Sequence, residues 1–169
     1  MASSLAIAPS ENSLAHESDT AGSARKLMLV DANINPRTGL ATDYLNHFNE
    51  AIMLLEMIPD MPECADDFID WRPRTYREHF QASHLKAYEI IIQAYEEADP
   101  AYRAQFDKVI ETMTSILLAV NDAMRNVNTD KRILLARHGA DWMKPLLLLA
   151  DGLIHATPET TDIDRIMEK

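Results

Sequence analysis

The chain has a single cysteine, four glycines, little basic charge and no long apolar run, and each scarcity removes a class of protein. A lone Cys64 excludes an intrachain disulfide and any zinc cluster built on several cysteines. It fits a reducing compartment, so the expected location is cytoplasmic. With so few glycines there is no GxGxxG or GxxxxGK[ST] loop to cradle phosphate, and no GxSxG turn to carry a strained nucleophile. The longest purely apolar run, LLLLA at residues 146 to 150, is far too short for a bilayer. Sixteen Lys and Arg stand against 27 Asp and Glu, a formal net charge of −11. That field repels phosphate backbones, so nucleic acid is not an expected partner.

What is present is an ordinary balance, 47% apolar and 25% charged over 169 residues, enough for one domain to bury its own core. Residues 1–26 are rich in Ser and Ala with few large apolar groups, and are expected to be a flexible tail. SLAIA is too short for the core of a secretory signal, and Glu11, Glu17 and Asp19 break the acid-poor pattern of a transit peptide. KLMLV can form a short extended piece before the turn formers of VDANINPRTG, together an arm laid over helices.

Helical periodicity then dominates. The first strong helix spans about residues 41–58, with Thr42 as N-cap and Tyr44, Phe48, Ala51, Ile52, Leu55 and Ile58 on one face. Pro59, Pro62 and Pro73 interrupt the pattern, and ECADDFIDW, residues 63–71, can form a short extra helix. A second helix is expected from Thr75 to about Ala98, opened by the capping box Thr75–Glu78. Asp99 and Pro100 start the third, which runs to about Val127. Thr129 or Asp130 caps the fourth, which runs to about His155 and can bend at Gly139 or Pro145. The expected fold is all-α, a compact antiparallel bundle of four main helices over residues 27–158, followed by a C-terminal extension at 159–169.

Several polar residues stand where chemistry is conceivable. Asp43, His47 and Glu50 share one helix face at the margin of the apolar stripe. His138 falls between Leu135 and Trp142, read here as the apolar side of the fourth helix, with Asp141 three positions on. His47, Glu50, His138 and Asp141 form two His-x-x-carboxylate pairs that facing helices could bring around Fe, Mn or Zn, although the Glu-x-x-His order of di-iron bundles is missing. Cys64 lies among acidic groups in MPECADD, which oppose thiolate formation. His79 and His84 lie on opposite flanks of their face, unlike the i,i+4 pair of a helical zinc site.

SHLKAYE, with His84, Leu85 and Lys86, resembles the HxLKG signature of histidine phosphotransfer proteins, with the Leu and Lys one place early and Ala87 in the region of the glycine. The resemblance covers a few residues and implies a helical bundle in which His84 accepts a phosphoryl group. WRPRTYR supplies Trp71, Arg72, Arg74 and Arg77, which can grip an acidic peptide or a phosphate, or anchor a loop across the acidic body. Met53, Met57, Met61, Met124 and Met143 add adaptable packing. The expected function is therefore that of a small interaction or regulatory domain that binds a protein partner or a second copy of itself. No cofactor is expected. A metal-dependent bundle enzyme is the first alternative and phosphotransfer the second.

Overall fold

Proline and short polar residues divide the chain into more helices than its apolar stripes suggest. The structure, a computed structural model, describes residues 11–156. The first ten residues of the expected tail and the expected extension at 159–169 lie outside them. The described residues are all-α, but the four-helix count is corrected: there are seven α-helices. They are α1 (Glu11–Asp31), α2 (Leu45–Met57), α3 (Cys64–Asp70), α4 (Tyr76–Ala82), α5 (Tyr88–Glu97), α6 (Pro100–Met124) and α7 (Thr129–His155), with a single 3-10 turn at Thr42–Tyr44 before α2. None is long and apolar enough to cross a membrane.

Two differences from the sequence expectation, together with the short helix that it allowed at residues 63–71, account for the extra helices. Residues 11–26, read as part of a flexible tail, are helical, and the helix continues through KLMLV, which is not extended. From residue 20 to Asp31 only Leu29 is buried, and an Arg25–Glu97 ion pair ties this helix to α5. The helix expected over 75–98 is broken after Ala82: Ser83 Oγ donates to the His79 carbonyl, and His84 takes a left-handed φ of 51°. Neither glycine nor proline marks that break. ECADDFIDW does form the short helix α3, closed by Trp71 in an extended conformation.

The local signals that were sharp act as expected. Thr75 and Glu78 complete a reciprocal capping box at α4, a device that contributes about 1 kcal/mol. Asp99 accepts from the amides of Ala101 and Tyr102 at 3.0 Å with Pro100 at the first helical position. At the start of α7 the cap is Asn128, ahead of the expected Thr129 or Asp130. The loop from Asn33 to Leu40 folds back on itself with one antiparallel bridge, Ile34 to Ala41. Gly39 is required there: its φ is 71°, and an added Cβ would stand 2.6 Å from the Ala94 carbonyl oxygen. Thr38 in this loop donates to the carbonyl of Ile154, tying the arm to the end of α7.

The core is centred where α2 and α6 pack on α7. Helix α2 buries Phe48, Ala51, Ile52 and Leu55, and α6 buries Phe106, Val109, Met113, Leu117, Val120 and Met124. Each large side chain taken fully out of water stabilises by about 1.5–3 kcal/mol. A buried polar group of α6 joins this core: Asn121 donates to the carbonyls of Phe68 and Ile69, so the C-terminus of α3 is fastened to α6.

Helix α7 is turned differently from the expectation. Its inner face is made largely of small residues, Ala136, Gly139, Ala140 and Ala150, with Met143, Leu153 and Ile154. A Cβ on Gly139 would lie 3.2 Å from Leu55 and 3.3 Å from Val120, so α2 and α6 both approach the helix backbone at this point. His138 therefore lies on the exposed side with Leu134 and Trp142, not on the packed side.

This arrangement predicts a contrast measurable by urea unfolding. Gly139→Leu forces side-chain atoms between α2 and α6 and should cost about 1–3 kcal/mol. Leu134→Ala, on the outer face, should change stability by no more than about 0.5 kcal/mol.

Candidate functional site

A cavity of about 570 Å³ opens between α2, α3 and the segment that joins α3 to α4. Its walls follow from local sequence. On α2, His47, Glu50 and Leu54 recur at i, i+3 and i+7, one helix face. On α3, Asp67 and Asp70 are three apart and share a face. Pro73 then holds its predecessor out of helical geometry, so Trp71, Arg72 and Arg74 pass across the opening as extended chain.

Two side chains, one from α2 and one from the 3-10 turn before it, hold that extended chain in place. His47 Nε2 accepts the backbone N–H of Arg74 at 2.9 Å, and the hydroxyl of Tyr44 donates to the Arg74 carbonyl at 2.8 Å. The His47 ring stacks on Trp71, with centroids 4.7 Å apart and planes at 25°. His47 is only 4% exposed. Burial, then the positive potential of His79 and Arg74, pushes its pKa down to about 4. His79, half-buried beside it, is shifted the same way, first by burial and then by Arg74.

This geometry sets the chemistry of the ring. Because Nε2 accepts a proton donor, the neutral ring carries its hydrogen on Nδ1. Nδ1 faces the Glu50 carboxylate at 4.0 Å, beyond hydrogen-bond range. With its lone pair engaged by the Arg74 amide and its cation disfavoured, this ring is poorly set up to take a proton. Its role is to hold the Arg74 peptide and to present one N–H donor.

The remaining residues expected from the sequence separate into distinct places. Arg72 donates to the carbonyls of Ile69 and Trp71, closing the end of α3. The guanidinium of Arg74 makes no hydrogen bond or ion pair among the described residues, whereas Arg77 pairs with Glu96 away from the cavity. His138 is exposed and stacks on Trp142, with centroids 5.7 Å apart. Asp141 lines a different hollow with Glu56, Arg137 and Lys144.

Of the four residues read as a metal set, His47 and Glu50 line one hollow, Asp141 lines another, and His138 is exposed. Among the described residues no group of three or more His, Cys, Asp or Glu is placed to hold a metal ion. The physical reason is the rotation of α7, which directs its small residues at α2 and carries His138 outward. In the stretch that resembles the phosphotransfer signature, His84 sits in the turn between α4 and α5. Cys64 is free and buried.

Sequence reasoning missed Tyr44, Asp67 and Asp70 as parts of a site. The i,i+3 spacing of the two aspartates in ADDFID was the available signal. Tyr44 was legible only as a core residue, and its hydroxyl gains its role from a chain segment 30 residues away. No family model matches the chain, no curated protein matches it, and no solved structure matches it.

The His47 shift predicts a pH dependence with a definite sign. The unfolded chain takes up this proton near 6.5 and the folded chain near 4. Between those values the unfolded state binds more protons, so stability falls as pH drops through the window and is unaffected above it. The full loss is at most about 3 kcal/mol. Urea unfolding of the parent and His47→Gln at about pH 7 and about pH 4 should show a smaller acid loss in the variant. Equal losses would contradict the assignment.

Proposed function

We propose that the protein is a non-catalytic docking module that binds a basic protein partner through the outer face of α7. The observation that carries this reading is the exposure of large apolar side chains on a firmly packed helix. Leu134 is 55% exposed, Trp142 53% and Leu148 73%. With His138 they fall within roughly 120° of one another around the helix axis. Large apolar side chains exposed along one face of a folded helix, here with Asp141 and Pro145 between them, support an interaction surface. Covering the three side chains would contribute about 1–2 kcal/mol each.

Charge selects the class of partner. Two copies of a chain at −11 repel one another, whereas a basic partner is drawn in and oriented by the same field. The engaged lone pair of His47 supports a binding role over a catalytic one. A single buried cysteine suits a reducing compartment, and a cytoplasmic setting belongs to this reading.

The test uses a designed Leu/Lys amphipathic helix as probe and Trp142 fluorescence as readout. A saturable blue shift, weakened by salt and abolished in Leu134→Asp/Leu148→Asp, is expected, with the chain alone sedimenting as a monomer. No shift would overturn the docking face. A dimer of the chain alone that dissociates in the double variant would assign the face to a second copy instead.

A further inference from the structure

The outward side of α2 carries methionine where solvated polar residues are the ordinary choice. Met53 is 53% exposed and Met61, just past the helix, 39%. Met57 between them is half-buried, its inner side against the core. Phe48, Ala51, Ile52 and Leu55 are the residues that α2 commits to the core on its other side.

Spacing puts the three thioethers in line. Met53 and Met57 are one turn apart, and side chains so spaced stand about 5–6 Å from each other at Cβ. Helix α2 ends at Met57, yet its register continues. The Ile58 amide donates to the Leu54 carbonyl at 3.3 Å, and the Met61 amide to the Met57 carbonyl at 2.8 Å. Met61 therefore stands one further turn along the same side. The three fall within roughly 80° of one another around the axis. Buried methionines such as Met113, Met124 and Met143 fill gaps in the core, but Met53 and Met61 fill none. Apolar side chains exposed singly need no explanation, whereas a row at one-turn intervals does.

The chemistry of the row selects its ligand. A thioether is uncharged and polarizable, so it suits soft Cu(I) and not the Mg, Ca or Mn that carboxylates and carbonyls hold. The His, Cys, Asp and Glu side chains that serve Fe, Mn or Zn are not brought together among the described residues, and thioethers are a separate class of donor. Three rotatable bonds let methionine sulfurs one turn apart converge on a single ion. Glu50 and Asp60 fall in the same outward arc, and neither is paired with a lysine or arginine among the described residues. Their charge draws a cation and offsets the one that neutral thioethers leave standing.

We propose that Met53, Met57 and Met61 form a thioether site for Cu(I), with Glu50 and Asp60 supplying the surrounding negative charge. The row faces away from α7, which packs on the inner side of α2, so metal binding here and docking on α7 stand or fall independently.

The test is NMR of the full chain with isotope-labelled methionine methyl groups, titrated with silver nitrate in chloride-free buffer. Ag(I) is a redox-inert stand-in for Cu(I). The Met53, Met57 and Met61 signals should shift together and saturate at about one ion per chain, with a Kd of about 10 μM or tighter. Met28, 58% exposed but alone on α1, should not follow them. Anaerobic Cu(I) should shift the same three signals, and Zn(II) should leave them in place. By calorimetry, Met57→Leu should weaken Ag(I) binding at least about tenfold, and Met53→Leu/Met57→Leu/Met61→Leu should remove it. Leucine nearly conserves the volume, and circular dichroism would confirm that the variants fold. Cys64, three residues past Met61, is a buried thiol and also soft, so binding should survive Cys64→Ser. Loss in Cys64→Ser or retention in the triple variant would overturn the proposal. So would a Met28 shift equal to that of the row, silence of the three signals toward Cu(I), or no saturable shift at about 1 mM Ag(I).

Discussion

The close approach of α2 and α6 to the backbone of α7 at Gly139 is the contact on which the rest of the structure depends. Any side chain there would press on Leu55 and Val120, so three helices share one crossing only because the middle one has nothing to insert. Ala136, Ala140 and Ala150 extend the same small face along α7. Dispersion contacts fall away steeply with separation, so short interhelical distances recover in packing what small residues lack in burial area. The larger apolar residues are consequently carried outward. An exposed row of Leu134, Trp142 and Leu148 is thus a geometric result of the same packing that forms the core.

A second constraint positions the cavity. Asn121 fastens the end of α3 to α6, and Tyr44 and His47 grip the two ends of the Arg74 peptide. The extended segment between α3 and α4 is held from both sides by the core, although it contains no regular structure of its own. A rigid frame around a lined hollow is what a selective site requires, because groups already in place need not be ordered when a ligand arrives. The burial that holds His47 also makes it a neutral donor, so position and protonation state have one cause.

Much of this fold was legible where polar punctuation was sharp. Thr75 with Glu78, and Asp99 with Pro100, state helix starts in the side chains themselves. The stripe of α6 was legible because its buried residues are large. On α7 the same reasoning followed Leu135, His138 and Trp142, since leucine and tryptophan outweigh alanine in any apolar pattern, and it selected the wrong side. The N-terminal helix was missed because it carries few large apolar residues, and from residue 20 to Asp31 only Leu29 is buried. Ala, Arg, Lys, Leu and Met are nonetheless good helix formers, and intrinsic propensity acts where burial does not. The break at His84 has no glycine or proline to announce it. In the site, His47 and Glu50 were legible as a pair from spacing, but the role of Arg74 rests on Tyr44, which only the tertiary structure brings to it.

The most direct measurement is methyl NMR of the full chain with a soluble paramagnetic probe. The methyl signals of Leu134 and Leu148 should broaden strongly, while those of Ala136, Ala140 and Ala150 stay sharp. Broadened alanine methyls with protected Leu134 and Leu148 would mean that α7 packs through its large residues, which would contradict both the core and the docking face described for this protein.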